Sequence, residues 1–111
     1  MDKRLDDALQ HAKFLESLKT QKRLLKEKFL VDSIVYFNGH TFTATPELIA
    51  FAKDNLSVYY LVDDNGTPVK IEDKNFFGVL YETHQKAAKE YFENYQKLIN
   101  SNRTVQDLLD V

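Results

Sequence analysis

The sequence predicts an α+β fold: a small antiparallel sheet of two hairpins flanked by long N- and C-terminal helices, in the order α-β-β-α-β-β-α with a further tail helix. Three observations carry this. No glycine or proline occurs between residues 2 and 31, Asn38-Gly39 stands between two short β-branched and aromatic runs, and apolar residues recur every three or four positions from Phe77 to Leu98. A parallel doubly wound sheet is disfavoured, because it needs a helix after nearly every strand.

The first element is a long helix over 1–31. Leu5, Ala8, Leu9, Ala12, Leu15 and Leu18 form one apolar stripe, which breaks at 19–23 and resumes at Leu24, Leu25, Phe29 and Leu30. Uninterrupted, such a helix runs about 45 Å, longer than a domain of this size is wide. Part of it must overhang or find a partner.

The segment 33–71 holds two hairpins around a short helix. Ile34-Val35-Tyr36-Phe37 and His40-Thr41-Phe42-Thr43 flank the Asn-Gly pair, whose residues both suit the positive φ of a type I′ turn. Thr45-Pro46-Glu47 then reads as N-cap, first-turn proline and dipole-matching carboxylate, opening a helix over 46–55. The second pair runs from Val58 to Ile71 through Asp63-Asp64-Asn65-Gly66, with Pro68 marking an edge strand. The two pairs together suggest one four-stranded antiparallel sheet.

Asp73 is expected to cap a long helix over 73–100, with Phe77, Leu80, His84, Ala87, Tyr91, Tyr95 and Leu98 on one face and Lys86, Lys89, Glu90, Glu93 and Lys97 on the other. After Asn100-Ser101-Asn102, the spacing of Thr104 and Asp107 predicts a short tail helix over 104–111.

The 111 residues suit a single domain; 43% are hydrophobic, and eight Phe and six Tyr supply large buried surfaces. Without cysteine there are no disulfides, thiolate metal sites or cysteine nucleophile. No stretch approaches the roughly 20 apolar residues of a membrane span, and the polar start lacks a signal-peptide core, so a cytoplasmic protein with no membrane partner is expected. Charge is uneven: net +3 over 1–31 and net −5 over 32–111.

Three histidines lie in three different elements. His84 falls on the apolar face of the last long helix with no carboxylate or histidine at i±3 or i±4, which favours a hydrogen-bonded structural role. His40 reads as a solvated hairpin residue, and His11 has no ligand-spaced partner. The run 63–67 has oxygen ligands in a row, but Gly66 stands fourth rather than sixth and no distal glutamate follows, so it reads as a turn and not a calcium loop. Three isolated glycines make no phosphate cradle, and no nucleophile motif occurs; no cofactor and no metal are expected.

The function these features favour is a non-enzymatic interaction or assembly protein, self-associating as a homodimer through its long helices and presenting its hairpins to another protein. Leu24, Leu25, Phe29, Tyr91 and Tyr95 are the candidate interface residues. The alternative is a nucleic-acid-binding accessory protein using the basic ridge 19–28, in which Lys19, Lys22, Arg23 and Lys26 share one side of the helix, although only Phe14 and Phe29 are aromatic nearby. A second alternative is a small enzyme centred on His84.

Overall fold

The computed structural model describes residues 3–55 and 57–109, with side chains over 4–55 and 57–101. The order is α1 (Lys3–Asp32), β1 (Ile34–Phe37), β2 (His40–Thr43), α2 (Pro46–Asp54), β3 (Tyr59–Val62), β4 (Pro68–Ile71) and α3 (Phe76–Leu109). The α+β architecture is as the sequence predicts. The chain forms two units: residues 29–90, which contain all four strands, and the segments 1–28 with 91–111, which contain most of both long helices.

In the unit 29–90, α1 ends at a serine cap. Ser33 donates both its N–H and its Oγ hydroxyl to the Phe29 carbonyl, at 3.0 and 2.7 Å, which turns the chain into β1. The first hairpin pairs Ile34 with Thr43 and Phe37 with His40, and its turn residues Asn38 and Gly39 take φ of 50° and 81°. Those are the left-handed values that the Asn-Gly pair predicts. Thr45 caps α2 by accepting the Leu48 N–H on its hydroxyl, and Asn55 closes the helix on the Phe51 carbonyl through both backbone and side-chain nitrogens.

The strands form two two-stranded sheets, not one sheet of four. The cause is local. β2 receives the β3–β4 turn instead of a strand, the Asp64 N–H donating to the Thr41 carbonyl at 2.9 Å. Both hairpins turn one face to a shared core of Val35, Phe42, Ala44, Ala52, Tyr59, Val69, Ile71, Phe76 and Leu80. Phe76 is its centre: fully enclosed, with Phe37 and Phe42 edge-on at 5.0 and 5.1 Å and Tyr59 tilted at 6.4 Å. Burial in this core raises the Tyr59 pKa above its ordinary value.

Two helix boundaries differ from those predicted. Asp73 accepts the Asn75 N–H on Oδ1, and this turn delays the helix to Phe76. At the other end α3 continues through Asn100, Ser101 and Asn102 to Leu109, so no separate helix 104–111 exists; residues 110–111 lie outside the described ones. Asn and Ser cost a helix only about half a kcal/mol each, and no glycine or proline follows Gly78.

In the other unit, α1 and the last part of α3 lie side by side. Phe14, Leu18, Lys22 and Leu25 of α1 are half-buried, as are Tyr91, Asn94, Tyr95, Leu98 and Ile99 of α3, each set spaced by threes and fours. The stripe read from the sequence behaves differently. Leu18 apart, its members Leu5, Ala8, Leu9, Ala12 and Leu15 are exposed, because the packed face is turned about a third of the way round the helix from them. No helix among the described residues is long and apolar enough to cross a membrane.

Candidate functional site

The most chemically distinctive surface lies on the two-helix unit. Lys19, Lys22, Arg23 and Lys26 share one side of α1, since steps of three, four and seven residues return to the same helical face. With Leu15, Glu16 and Thr20 they form one wall of an open groove of about 900 Å³, and Tyr91 and Tyr95 of α3 form the other. Four cations against Glu16 alone leave this lining at net +3. The Lys22 ammonium stands 5.8 Å from the centre of the Tyr95 ring, within cation–π range, and Tyr91 meets Tyr95 edge-on at 6.2 Å. Arg23 also reaches Glu27 at 2.9 Å, an exposed i,i+4 pair of small energetic weight.

The predicted site residues therefore regroup. Tyr91 and Tyr95, expected at a dimer interface, stand against the basic ridge. Leu24 and Leu25 line a smaller apolar hollow of about 370 Å³ with Gln21, Asn94 and Leu98. Phe29 belongs to the other unit, where its ring and that of His84 meet edge-on at 6.0 Å. The aromatic wall of the groove could not be read from α1, because its tyrosines lie about seventy residues further along the chain.

In the unit 29–90 the histidines have firm partners. His84 Nδ1 donates to the Ala44 carbonyl at 3.1 Å, and since a carbonyl only accepts, the proton must sit on that nitrogen. This bond ties α3 to the end of β2. His40 departs from the sequence reading: it is half-buried, and its Nδ1 lies 2.8 Å from Oδ2 of the buried Asp63. The other carboxylate oxygen of Asp63 accepts the Asn65 and Thr67 N–H groups at 2.9 and 2.8 Å. The Thr67 N–H first, then His40, hold the Asp63 pKa below its ordinary value, against the opposing effect of burial. Thr43 adds a hydroxyl bond to Asp64 at 2.9 Å. The run 63–67 is thus a turn clasped to β2, its first carboxylate already engaged by three donors, and no cluster of three potential metal-binding His, Cys, Asp or Glu residues occurs among the described residues.

The outer faces of the hairpins expose Tyr36, Tyr60 and Val62, well over half of each being accessible. No family model, curated protein or solved structure matches this chain.

Proposed function

We propose that the protein is a non-catalytic interaction protein that self-associates through its two-helix unit. The observation that carries this reading is the exposed stripe on α1: Leu5, Leu9 and Leu15 are 56%, 52% and 48% accessible, with Ala8 and Ala12 between them, over about 15 Å of helix. Apolar side chains repeated along one face are the usual substrate of a subunit contact, and small residues at its centre let two helices approach closely. Charge supports a second copy of the same helix as the partner. Asp6 and Lys13 stand one heptad apart on one flank of the stripe, so a second α1 laid antiparallel sets each Asp6 beside the other copy's Lys13. Such a contact is isologous and closes as a two-fold dimer. The exposed Tyr36 and Tyr60, on the hairpins of the unit 29–90, are the surface offered to a different protein.

The test replaces Leu5, Leu9 and Leu15 together with Gln and measures molar mass by light scattering. The native chain is expected to approach twice its 13.0 kDa at high micromolar concentration, and the variant to stay at the single-chain mass with its helical circular dichroism intact. Equal masses for both proteins refute the reading.

A further inference from the structure

We propose that the groove between the basic ridge of α1 and the tyrosines of α3 binds single-stranded nucleic acid. Backbone phosphates would follow Lys19, Arg23 and Lys26, and bases would stack on Tyr91 and Tyr95. The proposal does not require self-association, with which it shares only Leu15 of the stripe over residues 5–15.

Lys19 to Lys26 covers about 10 Å along the helix, room for a short run of phosphates, and Glu16 is the only acidic residue in the lining. A ridge of lysines alone would attract any polyanion. What selects nucleic acid is the opposite wall: two half-buried aromatic rings, held edge-on to each other at 6.2 Å, facing the same open volume as the cations. Cations that track the backbone beside rings that accept bases of any sequence are the two parts of a single-strand site. Lys22 joins them. Its ammonium lies over the Tyr95 ring, so the cationic and the aromatic walls meet within the one groove. A duplex keeps its bases paired and stacked internally and has nothing to offer the tyrosines; an acidic peptide satisfies the lysines and leaves the rings without a stacking partner.

The experiment is fluorescence anisotropy of a labelled oligothymidine on the full chain, over a range of salt. Binding is expected at low salt, with log affinity falling against log salt at a slope of about −2, as for three neutralised phosphates on a single strand. Replacing Lys19, Arg23 and Lys26 with Gln, all exposed, is expected to abolish binding and the salt slope together. Changing Tyr91 and Tyr95 to Leu is expected to weaken binding about ten-fold or more, and changing both to Phe, which keeps the rings, to preserve it. The Phe variant and circular dichroism separate loss of stacking from loss of fold. Three results overturn the proposal: no oligothymidine binding at low salt, equal affinity for polyglutamate or duplex DNA, or a Leu variant that stays folded and binds as the native chain does.

Discussion

Removing the ring of Phe76 should nearly unfold the strand-bearing unit. The side chain is wholly enclosed and contacts both hairpins, through Phe37 and Phe42 on one and Tyr59 on the other. Truncating a buried Phe to Ala costs about 3–5 kcal/mol, and two close edge-to-face contacts place Phe76→Ala in the upper part of that range, near 4 kcal/mol. A unit of 62 residues has a total stability of about 3–9 kcal/mol at typical values per residue, so the variant sits close to its limit. The assay is urea unfolding followed by tyrosine fluorescence and circular dichroism. With a slope of about 1–1.5 kcal/mol per molar urea, the midpoint should fall by about 3 M. Phe76→Leu keeps most of the volume and should lose about a third as much. A Phe76→Ala loss below about 1 kcal/mol would contradict the shared core, because two independently stable hairpin layers would tolerate the cavity.

Three further outcomes follow from the same contacts. The Asp63 pKa is lowered in the folded chain, so its contribution is complete above about pH 4 and disappears as pH falls through the lowered value; thermal melts of Asp63→Asn should lie below the native ones at neutral pH and converge with them in acid, and a gap that stays constant in strong acid opposes this. Gly39→Ala puts a Cβ on a residue at φ 81° and should cost about 1 kcal/mol by chemical denaturation, whereas an unchanged midpoint would mean that the turn relaxes to another type. His84→Ala leaves the Ala44 carbonyl without that donor and should cost about 1 kcal/mol, with faster amide hydrogen exchange where β2 joins α2; unchanged exchange there would remove the histidine's tethering role.

Features set by neighbouring residues were legible in the sequence. Asn38-Gly39 and Thr45-Pro46 act within four residues, through φ preference and a single cap, and both appear where they were expected. The continuous face of α3 was legible too, although Asn100-Ser101-Asn102 suggested an end that weak local penalties did not enforce. Contacts across the chain were not. His40 gains its carboxylate from a turn 23 positions away, and the lysine ridge gains its aromatic wall from a different helix. The stripe of Leu5, Leu9 and Leu15 is a different case: its periodicity was plain, but periodicity marks an apolar face without saying whether that face is covered.

Whether a second copy covers that face is best measured by sedimentation equilibrium on a charge-exchange cycle. Asp6→Lys and Lys13→Asp, each alone, should set like charges against each other in the antiparallel pair and shift the mass towards 13.0 kDa, and the double variant should return to the dimer of the native chain. A native chain at 13.0 kDa across the accessible concentration range, or single and double variants that associate alike, would contradict the account.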